Sequence, residues 1–292
     1  MIVRGHETLL VQGITGKQGT FWADKMREYG TKVIGGVNPK KAGQVHLDLP
    51  VWGSAVDAAG DTGVDCSVLF IPPLGVKAAA LDAIEAGIPK VVIMTEHVPV
   101  QDVMYVMAAA REAGTRIIGP NTAGLVTPGE CFVGFMPAFN QRIFQVGNVG
   151  VISRSGSLGT LVCLNLVQAG LGISAFVGIG GDPVIGTTTR DALQSLDEDD
   201  RTDAIAMVGE IGGKMEEAAA EYAAGMSKPI AAFIAGAASP PGKKMGHAGA
   251  IVMGASGSYE GKKAALEAGG ISVTPTPSFV PGILKERLGA CA

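Results

Sequence analysis

A histidine at position 247 is the residue of this sequence best suited to accept a transferred group. It lies in the stretch MGHAGA, between small residues that leave its ring accessible. A neutral imidazole is a good phosphoryl acceptor. It works best when a carboxylate fixes its tautomer and backbone amides hold the phosphoryl group. The interpretation without chemistry is a capping or structural histidine in a glycine-rich loop.

The groups that such a histidine needs follow other strands of the same half. Glu210 lies in GEIGG, and Ser155, Gly156 and Ser157 lie in SRSGSLG, where a helix begins. Amides at a helix N-terminus bind phosphate, because they form the positive end of the helix dipole. In parallel α/β sheets, ligands lie beyond the carboxyl ends of the strands. We therefore expect Glu210, the serine loop and His247 to gather at one edge of a sheet.

A glycine-rich turn in the first half could hold phosphate as well. QGITGKQGTF follows the first strand and opens a helix, with its glycines spaced G-x-x-G-x-x-G rather than as the strict dinucleotide fingerprint. The next strand ends in GGVNPKKAG, where an NAD enzyme would carry an acidic residue for the ribose. Lys40 and Lys41 instead suit the extra phosphate of NADP or of coenzyme A. The simpler interpretation is two solvated surface lysines.

Short apolar strands alternate with amphipathic helices along the chain, from TLLVQGI and TFWADKMREYG to ISVTP and PGILKERLG. This alternation is typical of βαβ units, so we predict an α/β fold with two doubly wound parallel-sheet domains. A stretch rich in Gly, Pro, Phe and Asn shows no clean period and is interpreted as a connection. The predicted boundaries are 1–121 for the first domain, 122–147 for the inter-domain connection and 148–292 for the second domain.

The composition limits the class of protein. Of the 292 residues, 47% are apolar and 17% charged, which indicates a packed globular protein, and a net charge of −4 argues against a nucleic-acid partner. With no signal peptide and no apolar run long enough to span a membrane, we expect a cytoplasmic protein. Scattered cysteines without Cys-x-x-Cys predict free thiols rather than metal ligands. They are Cys66, Cys131, Cys163 and Cys291.

Beyond these single patterns, the chain resembles the alpha subunit of succinyl-CoA synthetase and its relatives, the nucleoside-diphosphate-forming acyl-CoA ligases, which include malate–CoA ligase and citryl-CoA synthetase. The resemblance rests on QGITGKQGTF, GTKVIGGVNPKKAG, IIGPNTAGLVTPGE, VGVISRSGSLG, GIGGDPVIG, GEIGG and MGHAGAI. It implies a Rossmann-like CoA-binding domain followed by a flavodoxin-like ligase domain. His247 would be the phosphorylated histidine, Glu210 its carboxylate partner, and Ser155 and Gly156 part of the phosphate-binding helix start, to which we add Ser157.

The same resemblance implies the reactants and the partner. ATP or GTP with Mg²⁺ would bind to a separate ATP-grasp beta subunit, in an αβ or α2β2 assembly, and no metal ligand is expected in this chain. The phosphoryl group would pass through His247 to the acid, and CoA would then displace phosphate from the acyl phosphate. The residues implied to hold CoA are Thr15, Gly16, Lys17, Gln18, Lys41, Met94, Thr95 and Glu96.

Three segments depart from the family pattern, and these departures concern the acid substrate. Thr160 stands where succinate enzymes usually carry a tyrosine, GPNTAG replaces GPNCPG, and TEHVP, with His97, replaces TEGIP. A smaller side chain at position 160 could admit malate, citrate or another substituted dicarboxylate. Two alternatives to the ligase are an NADP-dependent oxidoreductase, favoured by the first half alone, and a non-catalytic CoA-binding module.

Overall fold

The first half of the chain folds around a seven-stranded sheet. The structure is a computed structural model that describes residues 1–239, 250, 252 and 257–290. Counted in chain order, the sheet's six parallel strands follow the 3-2-1-4-5-6 order of a Rossmann sheet, and β3 pairs antiparallel with β4 at one edge. The switch point lies between β1 and β5. The strands are β1 Thr8–Gln12, β2 Lys32–Val37, β3 Val45–His46, β4 Leu49–Trp52, β5 Cys66–Leu69, β6 Lys90–Ile93 and β7 Arg116–Ile118.

Helices cover this sheet, and the first of them ends at Gly30, which has a φ of +118°. β3, β4 and α2 are absent from the sequence-based prediction. They are two, four and seven residues long, too short to show a hydrophobic period. The helices are α1 Lys17–Tyr29, α2 Ala55–Asp61, α3 Val76–Glu85 and α4 Val100–Ala113.

The second half forms another seven-stranded sheet. Five of its strands are parallel and follow the flavodoxin order 2-1-3-4-5, with the switch point between β10 and β12. Its strands are β8 Gly124–Thr127, β9 Cys131–Gly134, β10 Val146–Ser153, β11 Ile173–Gly178, β12 Ala204–Glu210, β13 Ile230–Ala235 and β14 Ser272–Thr274. Its helices are α5 Gly156–Gln168, α6 Thr189–Asp197, α7 Met215–Ala223, α8 Tyr259–Ala268 and α9 Val280–Ala290.

The stretch 122–147, interpreted from sequence as a connection, contains the β8–β9 hairpin. β8 pairs antiparallel with β11, so the hairpin extends the second sheet. β9 packs against α1 of the first half, where the Thr31 hydroxyl donates to the carbonyl of Phe132 (2.8 Å) and accepts from its amide (3.0 Å). Both strands are fully buried and only four residues long, so neither shows the alternation that reveals a strand in sequence.

Candidate functional site

The turn after β1 has the shape of a phosphate cradle. Gly13 has a φ of +81°, and the Gly16 amide donates to the Gly13 carbonyl at 2.9 Å. A Cβ on Gly19 would lie only 2.1 Å from the Gly13 oxygen, so only glycine lets α1 pack this closely on the turn. Lys17 and Gln18, in the first turn of α1, are exposed. The amides at this N-terminus can therefore meet an anionic ligand.

Two further loops at the same edge of the first sheet carry residues implied to bind CoA. Lys41 is exposed at the end of the 3₁₀ turn Pro39–Lys41. Asn38 caps this turn, and its side-chain amide donates to the Thr15 hydroxyl at 2.6 Å. Thr95 follows β6 and donates to the Ile71 carbonyl at 2.6 Å, which joins the loops after β6 and β5. Its neighbour Met94 is buried, whereas Glu96 is exposed.

The serine loop forms a capped helix N-terminus at the carboxyl end of β10. Ser155 has extended backbone and accepts from the Leu158 amide at 3.4 Å, and its hydroxyl lies 3.2 Å from that of Ser157. A Cβ on Gly156 would lie 2.8 Å from Cβ of Ala123. The start of α5 therefore lies directly against the loop that precedes β8. Thr160 donates to the Gly156 carbonyl at 2.8 Å, so its hydroxyl points back along its own helix.

Glu210 is the last residue of β12 and faces the switch point of the second sheet. It is 6% exposed, and its Oε1 lies 3.2 Å from Nη2 of Arg154, which is 4% exposed. Arg154 belongs to the SRSG motif but was not singled out from sequence. Its pairing with Glu210 fixes the carboxylate beside the serine loop. His247, the expected partner of Glu210, lies outside the described residues.

A cavity of about 600 Å³ opens between the two halves. Its walls include Met94, Thr95 and Glu96 from the loop after β6, and Arg154 and Gly156 from the serine loop. Residues implied to bind CoA and residues implied to bind phosphate thus meet at one cavity. The other predicted site residues of the described chain do not line it. They are Thr15, Gly16, Lys17, Gln18, Lys41, Ser155, Ser157, Thr160 and Glu210.

The cysteines and the possible metal ligands of the described chain form no additional reactive or metal-binding site. Burial raises the pKa of the thiols of Cys66 and Cys131 to about 12 and that of Cys163 further still, so these thiols stay protonated at neutral pH. Cys291 lies outside the described residues. Within the described ranges, no group of three or more His, Cys, Asp or Glu residues could hold a metal ion. No helix in those ranges is long and apolar enough to cross a bilayer.

Comparisons with known proteins decide which family this site belongs to. A family profile for a CoA binding domain matches residues 6–97, and one for a CoA-ligase matches residues 152–272. The alpha subunit of the ADP-forming succinate–CoA ligase of Methanothermobacter thermautotrophicus is 46% identical over 99% of this chain and 98% of its own length. The chain belongs to the succinate–CoA ligase alpha-subunit family. The predicted acid–thiol ligase is thereby confirmed at the level of the family, and the NADP-dependent oxidoreductase is not supported.

Other members and solved structures agree with this assignment. The succinate–CoA ligase alpha subunit of Staphylococcus aureus (strain Mu50) is 43% identical over 95% of this chain and 91% of its own length. An ATP citrate lyase of Methanosaeta concilii, solved with (3S)-citryl-CoA, superposes on all of this chain with a TM-score of 0.91 at 21% identity. This chain covers 51% of that longer chain, and at this identity the similarity shows the fold. The predicted pair of Rossmann-like and flavodoxin-like domains is confirmed.

Proposed function

We propose that this chain is the alpha subunit of an NDP-forming acid–CoA ligase, which makes an acyl-CoA from a small carboxylic acid, CoA and ATP or GTP. The proposal rests chiefly on the cavity where Thr95 and Glu96 of the CoA-binding half meet Arg154 and Gly156 of the ligase half. A ligase must bring the CoA thiol and the activated acid to one place, because orientation of two reactants supplies much of the rate.

CoA would bind along the edge of the first sheet. The glycine turn with Thr15, Gly16, Lys17 and Gln18 offers helix N-terminal amides to a phosphate, in a cradle too narrow for a side chain at Gly19. Lys41 would pair with the 3′-phosphate. Met94, Thr95 and Glu96 would then guide the pantetheine arm towards the cavity.

The phosphoryl group would travel through His247. The nucleotide, bound with Mg²⁺ on the partner subunit, donates its γ-phosphoryl group to the imidazole and leaves as the diphosphate. A carboxylate oxygen of the acid attacks phosphorus, which releases the imidazole and forms an acyl phosphate. The CoA sulfur then attacks the acyl carbon and inorganic phosphate leaves. Glu210 would accept a hydrogen bond from one ring nitrogen, so that the attacking nitrogen carries no proton.

The N-terminus of α5 would hold the phosphoryl group while it is on the histidine. The amides that follow Ser155 are at the positive end of the helix dipole, and the side chains of Gly156 and Ser157 are small enough to admit a tetrahedral anion. The buried Arg154 immediately precedes this helix start and binds the Glu210 carboxylate there.

The acid would be succinate or a substituted di- or tricarboxylate such as malate or citrate. Thr160 is smaller than the tyrosine of succinate enzymes, and its hydroxyl is already bonded to its own helix. We therefore expect a hydroxylated or larger acid to give the higher kcat/KM. A panel of acids assayed with CoA and ATP measures this. A tenfold lead for succinate, about 1.4 kcal/mol in transition-state terms, would contradict the inference from Thr160.

The nucleotide site would be supplied by a beta subunit of the ATP-grasp type, in an αβ or α2β2 complex. The relatives at 43–46% identity are named as alpha subunits of succinate–CoA ligases, which implies a partner subunit for them. We expect the isolated chain to bind CoA but to form no acyl-CoA. Robust ligation by the single purified chain would show that a separate partner is not needed.

Labelling of the complex with γ-³²P-ATP tests the chemistry. The wild-type chain should take up label that is labile in acid and stable in base, as a phosphohistidine is. His247→Asn should lose both the label and ligation while CoA binding is unchanged, and Glu210→Gln should slow labelling without abolishing it. Acid-labile label on His247→Asn would place the phosphorylated residue elsewhere. CoA binding without any label on the wild type would favour the non-catalytic CoA-binding module.

A further inference from the structure

Four charged side chains are buried behind the end of β12. Arg154 is 4% exposed, Glu210 6%, and Glu216 and Lys262 are fully buried. They come from four different elements: the loop after β10, the end of β12, the first turn of α7, and α8. Two positive and two negative side chains make the group neutral overall. Such clusters cost solvation energy, so an apolar alternative of equal volume is often no less stable.

Glu216 lies at the centre of this cluster. Its Oε1 accepts a hydrogen bond from the backbone amide of Glu210 at 3.2 Å and lies 3.9 Å from Nη1 of Arg154. Its other oxygen, Oε2, accepts from the ammonium of Lys262. Arg154 in turn binds the Glu210 side chain through Nη2. Glu216 therefore holds both the main chain of Glu210 and the arginine that binds its carboxylate.

The strand beneath the cluster is shaped to admit Glu216. A Cβ on Gly209 would lie 2.8 Å from Cγ and 2.8 Å from Oε1 of Glu216, closer than real Cβ atoms approach. Because Gly209 has no side chain, the Glu216 carboxylate can reach the amide of the next residue. Glycine, acid, arginine and lysine thus form a built arrangement around one strand end.

We propose that Glu216 is a positioning residue for Glu210 and that Lys262 holds Glu216 in place. The proposal deepens the proposed function and rests on it, since Glu210 is useful in this orientation because of phosphoryl transfer. Because Glu216 is fully buried, we expect no contact between it and the acid or CoA. Its effect would be on the orientation of the Glu210 carboxylate, and therefore on the rate of histidine phosphorylation rather than on binding of nucleotide or CoA.

Two variants test the proposal in the complex with the partner subunit. Glu216→Gln with Lys262→Met removes both buried charges at once, so neither is left unpaired. Glu216→Asp keeps both charges but withdraws the carboxylate by one methylene. We expect each to lower the single-turnover rate of phosphohistidine formation at least tenfold, about 1.4 kcal/mol, with the KM for nucleotide and the Kd for CoA changed less than twofold.

Glu217→Gln is the matched control. Glu217 is the next residue of α7 and also contacts Lys262, at 3.1 Å, but no contact joins it to Glu210 or Arg154 within the described chain. Its loss should leave the phosphorylation rate within twofold of wild type. A merely structural role for Glu216 would instead show as a lower melting temperature with an unchanged single-turnover rate in the folded fraction.

The outcomes separate this proposal from the proposed function. If the wild-type complex takes up no label at histidine, the proposed function fails. If the wild type is labelled and Glu216→Asp is labelled at the same rate, the positioning role is overturned and the proposed function stands. Should the double variant not fold, Glu216→Asp decides alone. A wild-type rate of phosphohistidine formation in the folded double variant would likewise overturn the positioning role.

Discussion

Replacing Gly19 by alanine tests whether the turn after β1 holds CoA through its backbone. Gly19 is buried in the first turns of α1, and a Cβ there would lie 2.1 Å from the Gly13 oxygen, 2.8 Å from its carbonyl carbon and 3.0 Å from Cα of Ile14. All three atoms belong to the backbone, so no side chain can rotate away. The start of α1 must move from the turn by about 0.9 Å to reach the shortest real contact of 3.0 Å.

Two effects oppose each other in the stability of Gly19→Ala. Alanine in a helix is favoured over glycine by about 1 kcal/mol, whereas overpacking costs about 1–3 kcal/mol. The net loss of unfolding free energy is therefore small, about 0–2 kcal/mol. CoA binding should suffer more, because a hydrogen bond from an amide to a charged phosphate contributes about 1.5–3 kcal/mol. Loss of one such bond raises the Kd for CoA by roughly 10- to 150-fold.

Isothermal titration of the full chain with CoA measures this, and Gly60→Ala is the matched control. Gly60 lies in α2 of the same half, and a Cβ there has no atom within 4 Å. We expect Gly60→Ala to raise stability by about 0.5–1 kcal/mol and to leave the Kd unchanged. If Gly19→Ala binds CoA within twofold of wild type while remaining folded, the glycine turn is not the phosphate cradle.

Two further predictions use charges at the first sheet. Lys41→Ala should weaken CoA by roughly 10- to 150-fold and dephospho-CoA far less, because a charge-assisted bond contributes about 1.5–3 kcal/mol. Titration calorimetry measures both affinities, and equal losses for the two ligands would mean that Lys41 is only a surface charge. Hydrogen bonds from the amide (2.8 Å) and hydroxyl (2.9 Å) of Thr8 lower the pKa of Asp65. The stability that the Asp65 carboxylate contributes to the fold is therefore complete above the unfolded pKa, about 3.9, and is lost as pH falls through the lower folded pKa. When pH is lowered from 7 to 3, the urea midpoint of Asp65→Asn should accordingly fall less than that of wild type. Equal falls would show that the Asp65 carboxylate does not stabilise the fold.

The parts of the site that the sequence predicts are those set by local patterns. A buried strand followed by spaced glycines and a helix start locates the cradle around Gly16 and the capped helix at Ser155. The position of Glu210 can also be predicted, because Glu210 ends a strand at the same edge of the sheet as the serine loop. The doubly wound class of both sheets also follows from the alternation, whereas β3, β4, β8 and β9 do not.

The buried charges could not be found this way, because adjacent residues of the same type have opposite environments. Glu216 is fully buried beside Glu217, whose side chain is 24% exposed, and Lys262 is fully buried beside Lys263, whose side chain is 40% exposed. The sequence gives no reason to choose one of each pair, since burial depends on contacts between α7, α8 and β12. Arg154 had the stronger signal, as the one charged residue of the otherwise uncharged motif VGVISRSGSLG.

The β8–β9 hairpin connects the two halves of the chain, because each of its strands contacts a different half. β8 pairs with β11 in the second sheet, whereas Phe132 of β9 packs edge-on against Tyr29 of α1 at a centroid distance of 5.5 Å. Separating the halves on either side of the hairpin would expose apolar rings or open a sheet edge. Heat or urea should therefore unfold both sheets in a single transition, and a gene cut at this point should yield two aggregating fragments rather than two working domains.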